Sequence, residues 1–353
     1  MGERKRQDAA RFGAAPAAGN APAIETKRPR RGDQPRRIYA ALDLGTNNCR
    51  LLIARPEGDG FVVVDAFSRI VRLGEGLAAS GQLSDAAMDR AVAALAICAE
   101  KLRRRNVTLV RSVATEACRR AINGQAFIDR VANETGIRLE IITAEQEARL
   151  AVTGCQALLE PGDDPALVFD IGGGSTELVL LDGLAREGAV RDWYSAPWGV
   201  VSLSESEPHI GGSEAELRAA YARMVTRVAD AFAPFAERLR SAGMGPGRLL
   251  GTSGTVTTLA SLHLDLPAYD RSKVDGLIVP AAAMRAISLR LSGMTVSERA
   301  KLACIGRERA DLVVAGCAIL DVILDLWPAE RLGVADRGIR EGILRGLIAS
   351  DAH

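Results

Sequence analysis

Three short segments of the chain place glycine beside hydroxyl, amide or carboxylate side chains at the end of an apolar run. They are Asp43-Leu44-Gly45-Thr46-Asn47-Asn48, Asp170-Ile171-Gly172-Gly173-Gly174-Ser175-Thr176 and Gly251-Thr252-Ser253-Gly254-Thr255. Consecutive glycines let backbone N–H groups approach an anion without interference from Cβ, and successive N–H groups in such turns form anion-binding concavities. The third segment lies between a predicted strand and a predicted helix, so its amides would belong to a helix N-terminus. One Gly-rich turn is an ordinary hairpin. Three of them point to an oligophosphate ligand. No GxxxxGK[ST] motif is present, so this is not a Walker P-loop.

Phosphoryl chemistry needs positioning, charge neutralisation and an oriented nucleophile. Asp43, Asp170 and Glu177 place carboxylates beside the loops, and Mg²⁺ commonly takes one or two carboxylates together with phosphate oxygens and water. In Thr143-Ala-Glu-Gln-Glu-Ala-Arg-Leu150, Thr143 and Gln146 fit a capping box, which puts Glu145 and Glu147 in a first helical turn. Both glutamates suit the helix dipole, and one of them could instead activate water. Arg119 reads equally as a phosphate clamp or as a solvated helix arginine.

The elements that must position these groups come as a repeat. Ile38–Gly45 (IYAALDLG) and Pro165–Gly172 (PALVFDIG) are apolar strands ending in Asp-x-Gly, each followed by a small polar turn and a second apolar strand. A third strand follows each, so two antiparallel meanders are expected. After the first come a helix over about 84–105, a strand over 107–115, a helix over about 116–133, a strand over 138–143 and a helix over about 145–159. Met88, Val92, Leu95, Ala99 and Leu102 recur at helical spacing behind Ser84, a candidate N-cap. After the second come a helix over about 213–240, a strand over 248–254, a helix over 255–262, further helices, a strand over 331–336 and a terminal helix from 338. Two similar α/β halves are implied, with a cleft between them for a ligand.

Composition bounds the class. Of 353 residues, 48% are hydrophobic, 25% charged and only 4% aromatic, so Ala, Leu and Val must fill the core of a soluble globular chain. No apolar run approaches the roughly 18 residues of a membrane helix, and no secretory signal is read at the start. The six cysteines form no CxxC pair, and His209, His263 and His353 form no doublet. A structural zinc site is therefore not expected, and reduced thiols in a cytoplasm are. Residues 1–37 hold ten Lys/Arg against four Asp/Glu, a balance of +6, which leaves 35 against 40 elsewhere. That Ala/Pro/Gly-rich segment reads as a disordered basic tail with a weak attraction for polyanions.

From about Tyr39 to Leu347 the chain resembles the exopolyphosphatase / guanosine pentaphosphate phosphohydrolase (Ppx/GppA) family. The resemblance rests on ALDLGTNNCRLLI, VRLGEGL from Val71, ATEACR from Ala114, TAEQEARL from Thr143, FDIGGGSTELV from Phe169, GTSGTV from Gly251, RADLVVAG from Arg309 and GIREGIL from Gly338. It implies an actin-like (ASKHA, ribonuclease H-like) duplicated α/β fold of two domains with an interdomain cleft. The expected division is 38–146 plus 336–353 against 147–335. It also implies roles: Glu147 as catalytic base and Arg119 as a phosphate contact. Asp170 and Glu177 fall at the Mg²⁺ and phosphate site. Asp43 with Gly45, Thr46, Asn47 and Asn48 forms one phosphate loop, Gly172, Gly173, Gly174, Ser175 and Thr176 a second, and Gly251, Ser253, Gly254 and Thr255 a third. The first loop reads TNN where SNS is common in the family. A short form without the HD-like C-terminal region is expected.

The resemblance implies an enzyme that releases terminal orthophosphate from inorganic polyphosphate or converts pppGpp to ppGpp. Mg²⁺ or Mn²⁺ would be its cofactor, with K⁺ a further candidate. A cytoplasmic homodimer is expected, with no membrane and no specific nucleic acid among its partners. Two alternatives stay open: a small-molecule kinase of actin-like fold, and a non-catalytic polyphosphate or nucleotide sensor. No Gly-rich adenosine motif is found between Ser261 and Trp327 to favour the kinase.

Overall fold

The computed structural model describes residues 37–58, 60–183 and 189–351, so the expected basic tail lies outside the described residues except for Arg37. The first meander is β1 (Tyr39–Leu44), β2 (Asn48–Glu57) and β3 (Gly60–Ile70). It continues through α1 (Leu77–Ser80), α2 (Asp85–Arg104), β4 (Leu109–Ala114), α3 (Glu116–Arg120), α4 (Gly124–Thr135) and β5 (Glu140–Ile141). The sheet order is β3-β2-β1-β4-β5, antiparallel across the meander and parallel from β1 through β4 to β5. Next comes α5 (Ala144–Cys155), which ends in a single 3₁₀ turn at Gln156–Leu158.

The second meander is β6 (Ala166–Ile171), β7 (Thr176–Leu181) and β8 (Val190–Ala196). Then follow α6 (Val200–Ser206), α7 (Glu214–Ser241), β9 (Arg248–Thr252), α8 (Gly254–His263), α9 (Arg271–Val274) and β10 (Ile278–Pro280). The chain finishes with α10 (Ala281–Ser292), α11 (Val296–Arg299), α12 (Val313–Leu326), β11 (Arg331–Ala335) and α13 (Ile339–Asp351). The order β8-β7-β6-β9-β11 repeats the first sheet strand for strand, and β10 adds one antiparallel edge. The result is an actin-like duplicated α/β fold of two domains.

The central strands are apolar on both faces because both faces are covered. Ala40, Leu42 and Leu44 of β1 pack beneath α2 and α4, whereas Tyr39 and Ala41 pack against Ile343 and Leu344 of α13. In the second half, Leu167 and Phe169 of β6 face α7, α8 and α12. Val168 faces Ala148, Val152 and Cys155 of α5. Helices α5 and α13 therefore back one sheet each and cross one another. A Cβ on Gly154 would stand 2.0 Å from the carbonyl oxygen of Gly338, and one on Gly342 would stand 2.1 Å from that of Leu150. Only glycine permits that crossing distance.

Several expected boundaries shift. The helix expected over 116–133 is two helices. Asn123 turns away from a helical path to bond both the N–H and the carbonyl of Leu83, each at 2.9 Å. A side chain on Gly124 would strike the carbonyl oxygen of Cys118. The strand expected over 138–143 shrinks to Glu140–Ile141. Strand β10 and the short helices α1 and α6 carried no periodicity of their own. The Ser84 cap and the Thr143–Gln146 capping box both form.

Candidate active site

The two Asp-x-Gly turns have the same backbone construction. Gly45 N–H donates to the Asn48 carbonyl at 2.9 Å, and Gly172 N–H donates to the Ser175 carbonyl at 3.0 Å. In each turn the other carbonyls are tied backwards. Those of Thr46 and Asn47 accept from Gly74, Val71 and Arg72; those of Gly172 and Gly173 accept from Val200, Val201 and Ser202. Ser202 Oγ also reaches the Gly174 carbonyl. With the carbonyls turned away, the intervening N–H groups are left for the cleft side, as an anion-binding nest requires. The walls also touch. A Cβ on Gly173 would lie 2.9 Å from Thr46 Cβ, and one on Gly174 would lie 2.9 Å from Thr46 Oγ1. These glycines thus serve the close approach of the two halves as well as the access of a ligand.

The cleft between the turns is a cavity of about 130 Å³ that opens to solvent. Asp43, Gly45, Thr46, Asn47, Asn48, Glu147, Asp170, Gly172, Gly173, Gly174, Ser175, Ser253, Gly254 and Thr255 all line it. Four expected site residues do not. Thr176 is buried and donates to the Trp198 carbonyl at 2.7 Å. Gly251 lies within β9, where a Cβ would meet the Phe169 ring at 2.5 Å, so it is a packing glycine and not part of a phosphate loop. Glu177 lies behind the second turn, 2% exposed, and accepts from Ser175 Oγ and Ser195 Oγ at 2.8 and 2.9 Å. Arg119 stands one side chain back from the cleft. It donates to Glu147 Oε2 at 3.1 Å, to Glu116 Oε2 at 2.5 Å and to the Ile142 carbonyl at 2.8 Å. The third loop also differs from expectation, because Ser253 Oγ already accepts from the N–H groups of Thr255 and Val256. An anion there would compete with the helix's own cap.

The structure adds residues that the sequence reading missed. Arg50, Thr115, Glu116 and Arg309 line the cleft, and Arg340 faces a smaller recess behind Asp43 and Asp170. Hairpin register could have found Arg50, since it pairs directly with Asp43 across the turn. Arg309 had no such signal, because the segment before α12 is irregular.

Carboxylates crowd this cleft. Glu147 is 6% exposed, and burial raises its pKa well above the usual range. Glu177 pushes it further the same way, and Arg119 pulls it back. Burial and Glu147 lift Asp170 to about 7, and burial and Asp170 lift Glu177 to about 7. Burial also raises Asp43, opposed by Arg50 and Arg340. Asp43 Oδ1 and Asn47 Oδ1 are buried and have no hydrogen-bond partner among the described residues. Orphan oxygens among carboxylates that repel one another fit a bound cation. No group of three His, Cys, Asp or Glu among the described residues could close around one.

Fold and cleft together define a member of the actin-like class with a matched glycine-containing turn on each wall. The sequence pattern of the Ppx/GppA phosphatase family matches residues 52–351. Exopolyphosphatase 2 of Mycobacterium tuberculosis is 33% identical over 323 residues, covering 87% of this chain and 98% of that protein. The crystal structure of the Aquifex aeolicus Ppx/GppA family member superposes with a TM-score of 0.73 at 28% identity, covering 90% of this chain and all of that one. An exopolyphosphatase from Cytophaga hutchinsonii superposes with a TM-score of 0.80 at 25% identity, covering 89% and 98%. The chain belongs to the Ppx/GppA phosphatase family. No helix among the described residues is long and apolar enough to cross a membrane.

Proposed function

We propose that this protein is a divalent-cation-dependent hydrolase that releases terminal orthophosphate from inorganic polyphosphate and converts pppGpp to ppGpp. The observation that carries this reading is the position of Glu147. It is a buried carboxylate between two matched anion-cradling turns, with its proton affinity raised and an arginine at 3.1 Å. Two facing cradles can grip consecutive phosphates of one chain, and a lone phosphomonoester would fill only one of them.

In this reading the N–H groups of the Thr46–Asn47 and Gly173–Ser175 turns hold phosphate oxygens, and Arg50 and Arg309 neutralise charge along the cleft. Glu147 accepts the proton of the attacking water, a role favoured by a pKa that burial raises above the ordinary carboxylate range. Arg119 orients the Glu147 carboxylate and meets the terminal phosphate when that phosphate enters. Asp170, with Asp43 across the cleft, would hold the cation, and Glu177 opposite Asp170 adds to the negative potential there. When bound, the cation supplies charge neutralisation on phosphate oxygens. We place the domain boundaries near 146/147 and 335/336. Free, buried thiols support a reducing, cytoplasmic setting.

A phosphate-release panel tests the reading, with polyphosphates of several lengths, pppGpp, ATP and a phosphomonoester as substrates. Free phosphate from the first turnovers on linked phosphates is expected, with poor turnover of the monoester. Phosphate appearing only on an added acceptor would replace this reading with the kinase. Tight binding without turnover would replace it with the sensor.

A further inference from the structure

Two side chains from motifs flanking the site have no role in it so far: Arg72 of Val71-Arg-Leu-Gly-Glu-Gly-Leu77 and Asp311 of Arg309-Ala-Asp-Leu-Val-Val-Ala-Gly316. They meet across the two halves. Arg72 donates from Nη1 to Asp311 Oδ2 at 2.8 Å and from Nη2 to Asp311 Oδ1 at 3.1 Å. The same Nη2 reaches the Glu308 carbonyl at 3.3 Å. This fork-on-fork pair fixes direction as well as distance. A second contact lies beside it, from Gly76 N–H to Glu205 Oε1 at 2.9 Å. In both contacts the first half supplies the donor and the second half the carboxylate.

Each end of the Arg72–Asp311 pair is braced to a wall of the cleft. On the first wall, the N–H groups of Val71 and Arg72 both donate to the carbonyl of Asn47, and Gly74 N–H donates to that of Thr46. Gly74 is needed for that approach, since a Cβ would stand 2.3 Å from Thr46 Cγ2. Arg72 holds φ at 47°, a left-handed conformation uncommon outside glycine. Arg90 secures it by donating to the carbonyls of Val71 and Arg72 and to Glu75. On the second wall, Asp311 sits between Arg309 and Leu312, both of which line the cleft. The fully buried Arg299 donates to the carbonyls of Ala310, Met294 and His209 and to His209 Nδ1, which anchors the turn before α12 to the body of the second half. Between two such rigid struts, the ion pair is the element that can open.

We propose that Arg72 and Asp311 are positioning residues that clasp the Thr46–Asn47 turn to the Arg309–Val313 wall and set the cleft width at which both walls engage one chain of linked phosphates. The proposal deepens the hydrolase reading and rests on it for its substrate. Once such a chain spans both cradles it holds the walls together itself, so the clasp governs entry and binding more than the chemical step. Loss of the clasp should therefore act on KM and leave kcat nearly unchanged.

The test pairs kinetics with a distance measurement on the full-length protein. All six native cysteines are buried, so spin labels can be placed through Ile122→Cys and Leu289→Cys, one on each half, at positions 81% and 59% exposed. Arg72→Gln and Asp311→Asn should each lengthen and broaden the label–label distance. Each should also raise KM for polyphosphate about two- to fivefold, the scale of a partly exposed ion pair. The double variant Arg72→Gln/Asp311→Asn should be no worse than either single one, and the reversed pair Arg72→Asp/Asp311→Arg should recover both readouts. Aspartate tolerates the left-handed backbone at position 72. Single variants with an unchanged distance distribution, or single effects that simply add in the double variant, would overturn the clasp. Failure of the unsubstituted protein to hydrolyse any linked phosphate would sink the hydrolase reading instead, and the distance measurement alone would then decide the clasp.

Discussion

The two halves share a backbone and differ in charge at one register position. In the first, Asp43 on β1 pairs with Arg50 on β2; in the second, Asp170 on β6 pairs with Glu177 on β7. Both turns close with the same hydrogen bond, and both have their carbonyls drawn away from the cleft. The duplicated fold thus supplies the same anion cradle twice, and a single side chain then sorts the walls. Arginine opposite the first aspartate gives a wall that offsets phosphate charge. Glutamate opposite the second gives a wall whose carboxylates repel one another, with Asp170 and Glu177 both lifted to about 7. A symmetric frame thereby acquires a direction, from an arginine-bearing wall toward an acidic one.

Removing the proposed base between the walls should have the largest effect. Glu147→Gln keeps the shape and loses basicity, and kcat should fall about 10²–10⁴-fold, as for other general bases. Glu145→Gln is the control, because Glu145 is half-exposed and pairs with Arg149 on the outer face of the helix. A Glu147→Gln enzyme within a few-fold of the unsubstituted one, with the fold intact, would break the assignment.

The asymmetry itself is tested at its acidic end. Glu177→Gln keeps a side-chain oxygen for Ser175 and Ser195 but removes the charge behind Asp170. The concentration of Mg²⁺ needed for half-maximal activity should rise about 10–100-fold, the usual cost of losing a supporting group at a metal site. An unchanged Mg²⁺ titration would separate Glu177 from the cation.

Stability should depend on pH in a matching way. The folded state raises the pKa of Asp170 and Glu177, so it favours their neutral forms. That contribution is complete below the ordinary carboxylate range and is lost as pH rises through about 7. In excess chelator, the melting temperature should drop between about pH 5.5 and pH 8, and Mg²⁺ should restore it, because a ligand that binds only the folded state stabilises it. A melting temperature that rises over this interval in chelator would contradict the crowded acidic wall.

The smallest effect concerns what the halves share. Gly342→Ala would press Cβ against the Leu150 carbonyl at the α5–α13 crossing. Forced separation of the helices should cost about 1–3 kcal/mol, the scale of an overpacked contact, read as a lower denaturation midpoint. A variant as stable as the parent would mean that the crossing yields without cost.

Much of this molecule was legible in one dimension. Strand–turn–strand repeats, the Ser84 cap and the Thr143–Gln146 box are local: hydrogen bonds a few residues apart and apolar spacing decide them, so the residues themselves carry the information. The same locality explains why Glu147 was placed in the first turn of a helix. The break at Asn123 was not legible, because Asn123 answers to Leu83 forty residues earlier. Strand β10 owes its existence to the neighbouring β11, and its three residues carry no period.

What the sequence determined by itself, then, is the duplicated architecture, the family and the residues able to do phosphate chemistry. Tertiary structure decided which of them meet. It set Gly251 against the Phe169 ring and out of the cleft lining, put Glu177 behind the second turn, and turned Arg119 toward Glu147. It also brought in Arg50 and Arg309 and joined Arg72 to Asp311 across 239 residues of chain. The physical reason is reach. Capping and periodicity act within a few residues along the chain, whereas burial, charge coupling and the width of a cleft depend on distances that exist only after the two sheets have packed around α5 and α13.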